Sequence, residues 1–100
     1  MPEVRIERAA KKDLKRIGPG PERARIAAGL RRLADDAPNL DIKAIVGAPG
    51  WFRLRIGEYR ICYYRAPRHG PDGPMTIYAV ERIVPRGAFD AAAASLPKER

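Results

Sequence analysis

The sequence predicts a single α+β domain over residues 1–100: an antiparallel-rich sheet of about four strands, an N-terminal helical hairpin packed on one face, and a short C-terminal helix. Three observations lead there. Apolar residues recur at three- and four-residue spacing in two neighbouring segments, GPGP at 18–21 separates those segments, and three β-like runs bounded by turn residues follow between residues 51 and 84. The implied order is β-α-α-β-β-β-α.

EVRIER at 3–8 alternates polar and apolar residues, with Val4 and Ile6 on one side, and reads as a short strand. Ala10, Leu14 and Ile17 then follow helical spacing until GPGP stops the helix. In PERARIAAGLRRLADDAP the apolar set Ile26, Ala27, Leu30, Leu33, Ala34 and Ala37 forms one stripe, and Arg23, Arg25, Arg31 and Arg32 fill the other faces. This second helix ends before Pro38, and residues 39–50 read as a connector.

Phe52, Leu54 and Ile56 point to one side of the next strand, and Trp51, Arg53 and Arg55 to the other. Gly57-Glu58 has the Gly-X order of a type II′ hairpin turn. The returning strand, Tyr59 to about Arg65, puts Arg60, Cys62 and Tyr64 on the side of Arg53 and Arg55. APRHGPDGP reads as a loop, MTIYAVERIV as a central strand ended by Pro85, and GAFDAAAASL as a short helix.

The formal net charge is +8, carried by 15 arginines and 5 lysines, which favours planar bidentate donors and a polyanionic partner. Between residues 51 and 86 seven arginines face three acids. Guanidinium groups gathered on one sheet face repel by about 4 kcal/mol per pair at ~4 Å and an effective dielectric of about 20. A phosphate from outside would offset that repulsion. The competing reading is an ordinary polar sheet face, with arginine stems covering apolar surface.

Most catalytic constellations are missing from the sequence. One histidine, His69 in a Gly/Pro-rich loop, and one cysteine, Cys62 in an apolar run, exclude a His-based zinc site and an internal disulfide. No phosphate-binding glycine pattern occurs, and Asp35-Asp36 reads as a solvated helix end. No segment has the length of a membrane span or the apolar core of a signal peptide. A cytoplasmic protein without metal, small-molecule cofactor or membrane association is expected.

VGAPGWFRLRIGEYRICYY followed by IYAVERIVPRGAF closely resembles the RelE/ParE superfamily, the toxin components of bacterial type II toxin–antitoxin systems. The resemblance extends over nearly the whole chain through AAKKDLKRI and LADDAP. RelE-type members cut messenger RNA on the ribosome, and ParE-type members poison DNA gyrase. The resemblance favours the ribosome-dependent endoribonuclease, with gyrase inhibition as the alternative. It implies an acidic, partly disordered antitoxin, and ribosome and messenger RNA as targets.

By the same resemblance Arg53 and Arg55 match the two basic strand positions, Arg60 the basic residue after the hairpin tyrosine, and Arg86 the basic residue near the end of the last strand. These four are the expected catalytic set, and Trp51, Phe89 and Arg82 are expected to contact RNA. The chain departs from its relatives where Phe89 stands near a tyrosine, Arg55 replaces a lysine of some members, and Pro85 replaces a histidine. Glu58 or Glu81 is then the candidate base.

Overall fold

The alternation of Val4 and Ile6 with polar neighbours produces β1 (Glu3–Ile6), and the helical spacing produces α1 (Arg8–Ile17) and α2 (Pro21–Ala34). The structure, a computed structural model, describes residues 3–97. Gly18 ends α1 at φ 78°, a left-handed value that suits glycine, and Pro21 opens α2 with its φ already set.

β2 (Ile42–Ala44), β3 (Trp51–Ile56), β4 (Tyr59–Gly70) and β5 (Gly73–Pro85) complete a sheet of order β1-β5-β4-β3-β2. A single 3₁₀ turn (Arg86–Ala88) then leads into α3 (Phe89–Ala94). In the β3–β4 turn Gly57 has φ 57° and Glu58 is not left-handed, as a type II′ hairpin requires.

Three features correct the sequence expectation. The sheet has five strands instead of about four, because β2 lies within the segment read as a connector. Its three residues are all exposed and too few to set a pattern apart from the turn residues that follow, so pairing with β3, Lys43 opposite Arg53, reveals it. The sheet is also mixed: β1 pairs parallel to β5, with Val4 opposite Tyr78, after the chain has passed through both helices and the antiparallel meander.

The third correction concerns APRHGPDGP. Pairing of β4 with β5 continues outward to Gly70 opposite Gly73, so most of this supposed loop is a two-stranded ribbon. Beyond Tyr64 no β3 residue flanks β4, and before Ile77 no β1 residue flanks β5. Pro67 and Pro74 therefore sit where no third strand needs their missing N–H.

The sheet has a separate core on each face. Under the helical hairpin, Ala10, Ile26, Leu30 and Leu33 pack on Leu54, Ile61, Tyr63, Val80 and Ile83. On the other face Trp51 and Cys62 lie under Ile45 and Leu96, flanked by Phe89 and Ala93 of α3. The side expected to be open is thus partly roofed. Its uncovered end is the one nearest the β3–β4 turn.

Candidate functional site

Strand alternation and register bring the arginines together. Arg55 and Arg60 are direct cross-strand partners, so their side chains share a face, and Arg53, two residues before Arg55, shares it too. Arg86 arrives from the end of β5, where its backbone N–H donates to the Glu58 carbonyl at 2.8 Å. All four predicted catalytic residues therefore surround one hairpin turn.

The electrostatics carry the same signature. The pKa of Arg60 is lowered, first by burial and then by the positive charges of Arg55, Arg53 and Arg86, while Glu58 acts in the opposite direction. A guanidinium with an ordinary pKa above 12 stays charged through such a shift, so repulsion is stored. Arg60 is held in place by neutral acceptors, with Nη1 donating to the Gly57 and Tyr59 carbonyls at 3.1 Å each.

Asp41 was not singled out in the sequence, yet it organises one side of the cluster. Its carboxylate lies 3.3 Å from Arg53 Nη2 and 3.9 Å from Arg55 Nη1, and its carbonyl accepts the Arg55 N–H at 3.0 Å. The signal missed was β2, since only that strand's pairing carries residue 41 alongside β3. Four arginines against Asp41 and Glu58 leave a local charge of +2, with Arg55 half-exposed and Arg86 exposed. Such a site can hold a phosphodiester and stabilise charge developing on it.

The three residues expected to contact RNA are dispersed differently. Trp51 is only 2% exposed and donates from Nε1 to the Pro97 carbonyl at 3.0 Å. Phe89 packs against the same core from α3. Both line a cleft of about 730 Å³ between the β2–β3 loop and α3, bordered by Arg53 and by Val46, which is 99% exposed. Arg82 turns away from the cluster and binds Asp13 of α1, Nε to Oδ2 at 2.9 Å.

Of the two candidate bases, Glu58 stands beside Arg60, whereas Glu81 lies in a β-bulge near Glu7, Arg82 and Asp13. The pKa of Glu81 is raised, by burial first and by Glu7 second. Among the described residues no group of three or more His, Cys, Asp or Glu side chains is placed to hold a metal ion, and no helix is long and apolar enough to cross a membrane.

A small basic α+β protein with arginines converging at a β-hairpin turn is the class these features define. Residues 4–87 match the family described as the ParE toxin of the type II toxin–antitoxin system parDE. The chain belongs to this family, and it is a toxin of the RelE/ParE superfamily.

Among solved structures, the RelB–RelE antitoxin–toxin complex from Methanococcus jannaschii matches at 27% identity and a TM-score of 0.59, covering 87% of this chain and 95% of that one. The archaeal RelE–RelB complex from Pyrococcus horikoshii OT3 shares the fold, at 21% identity and a TM-score of 0.56 over 85% of this chain and 94% of that one. No match is found among curated proteins.

Proposed function

We propose that this toxin is an endoribonuclease that cleaves messenger RNA on the ribosome, with Arg53, Arg55, Arg60 and Arg86 holding the scissile phosphate. The observation that carries this reading is the convergence of Arg53, Arg55 and Arg86 on Arg60 at the β3–β4 turn, where Arg55 is the cross-strand partner of Arg60 and the three positive charges lower the Arg60 pKa after burial. A dianionic phosphorane formed by attack of the adjacent 2′-hydroxyl would relieve their repulsion more than the monoanionic phosphodiester does, so the site would bind the transition state more strongly than the ground state. Glu58, whose charge acts on Arg60, is the candidate in this reading to accept the 2′-hydroxyl proton. The leaving 5′-oxygen takes a proton from water, and the products are a 2′,3′-cyclic phosphate and a 5′-hydroxyl.

The net charge of +8 favours a neutralising protein partner. The relative from Methanococcus jannaschii is an antitoxin–toxin complex, which supports an antitoxin partner for this chain, and charge complementarity would make that antitoxin acidic.

A second reading, gyrase inhibition without nuclease activity, is favoured by the family match and by the absence of histidine and tyrosine from the four-arginine cluster itself. Expression in bacteria followed by mapping of messenger RNA ends on translating ribosomes separates the two. Cuts in register with codons support the nuclease. DNA damage with intact messages supports gyrase inhibition and removes the nuclease reading.

A further inference from the structure

The arginine cluster has a neighbour that the sheet alone does not supply. Along α2, Glu22, Arg25 and Gly29 recur at spacings of three and four and so share a stripe. Glu22 acts electrostatically on Tyr59, and a methyl group added at Gly57 would stand 3.9 Å from Arg25 Cδ. A methyl group added at Gly29 would collide with Ile56, 2.8 Å from Cγ1. The stripe therefore rides directly over the β3–β4 turn, with Arg25 at its middle.

Gly57 is gripped from two sides. Its carbonyl accepts from Arg60, and the stem of Arg25 passes on the side where a Cβ would project. Arg25 is exposed, and among the described residues it makes no ion pair and no side-chain hydrogen bond. An unpaired guanidinium thus stands on the helix side of the Gly57 turn, across the turn from Arg60 and its cluster on the other sheet face.

We infer that Arg25 is a fifth phosphate-binding arginine, which extends the site over the β3–β4 turn onto α2 and binds a backbone phosphate of single-stranded RNA next to the one held by Arg60. This inference rests on the nuclease reading and adds to it a direction for the bound strand. A protein partner fits this patch less well, because the exposed large apolar residues among those described are Ile42 and Val46, neither of which lies on α2. Phosphate contacts need only charge and geometry, whereas protein interfaces are anchored by buried apolar or aromatic groups.

The test is fluorescence anisotropy with a labelled 2′-O-methyl oligouridylate, which lacks the attacking hydroxyl and stays intact, titrated over a series of salt concentrations. Arg25→Gln should weaken binding and lower the slope of log K against log salt by about 0.7, the value for one phosphate contact on a single strand. Arg25→Lys should restore the slope, and Lys12→Gln, an equal charge loss on α1, should leave it close to native. An Arg25→Gln slope equal to that of Lys12→Gln overturns the inference. If Arg60→Ala lowers the slope and Arg25→Gln does not, the cluster stands and the extension onto α2 falls. A native protein that does not bind the oligonucleotide overturns both.

Discussion

Asp13 and Arg82 form a partly buried ion pair that joins α1 to β5 at the point where β1 has ended. Asp13 is 3% exposed, and Oδ2 accepts from Arg82 Nε at 2.9 Å and from the Ile83 backbone N–H at 2.8 Å. The carboxylate thereby replaces the carbonyl that a longer β1 would have offered to β5. It also raises the pKa of Arg82, mainly through this hydrogen bond. Removing Asp13 leaves the buried Ile83 N–H without a partner, while the partly exposed Arg82 guanidinium can turn to water. Asp13→Ala should therefore cost about 1–3 kcal/mol, the range for leaving a buried donor unsatisfied. Urea denaturation checks it: the midpoint should fall while the slope stays unchanged. A loss below about 1 kcal/mol would show that water reaches the Ile83 N–H.

Gly29 is the second place where two layers are fixed by one residue. In most helices Gly→Ala gains up to about 1 kcal/mol. Here the new methyl group would enter the space of Ile56, whose Cγ1 would be 2.8 Å away. Gly29→Ala should destabilise by about 1–3 kcal/mol, the usual cost of overpacking. Ile56→Ala removes Cγ1 and Cδ1 together, so in the double variant the clash disappears and the two losses should not add. A double-mutant cycle with no coupling between the sites would show that α2 does not approach β3 this closely.

The elements that could be read from the sequence were those whose own pattern decides their structure. Both helices carry an apolar stripe and an explicit stop, and the Gly57-Glu58 turn carries its backbone requirement in its residue order. The placing of Arg53, Arg55 and Arg60 on one face followed from strand alternation alone. What could not be read depends on partners remote in sequence. β2 exists through β3, the ribbon beyond Tyr64 exists because β4 and β5 lose their outer neighbours together, and Asp41 is carried to the arginines by β2. Arg82 has the residue type of an RNA contact, and only the three-dimensional path of α1 shows its charge already engaged by Asp13.

The sheet interior should make the protein sensitive to alkali. Burial raises the Cys62 thiol from 9.0 to about 11 and the Tyr63 phenol from 10.0 to about 12. In each case the folded pKa is the higher one, so the neutral form is favoured by folding. Stability is fully present below the unfolded pKa and is lost as pH rises through the folded one. The window is about pH 9 to 11 for Cys62 and about pH 10 to 12 for Tyr63. Thermal melts across this range should show a steady decline, and Cys62→Ala should flatten its lower part. A native melting temperature unchanged up to pH 11 would contradict the burial of the thiol.

Arg60 and Arg86 separate function from folding most cleanly. Neither forms an ion pair among the described residues, and the backbone contact between Arg86 and Glu58 survives truncation of the side chain. Arg60 is pressed by three like charges, so Arg60→Ala relieves repulsion even as it loses two hydrogen bonds to carbonyls. Each alanine variant should keep the native circular dichroism spectrum and melt within a few degrees of the parent. Each should lose about 10²–10³-fold in the rate of messenger RNA cleavage on ribosomes, the effect of removing one preorganised donor from a developing anion. Because an arginine stays charged near neutrality, the remaining rate should show no titration assignable to Arg60 between about pH 6 and 9. Variants that stay fully toxic while folded would move the site away from the β3–β4 turn. Variants that lose toxicity while messages stay intact in the parent would instead assign the same arginines to a protein target.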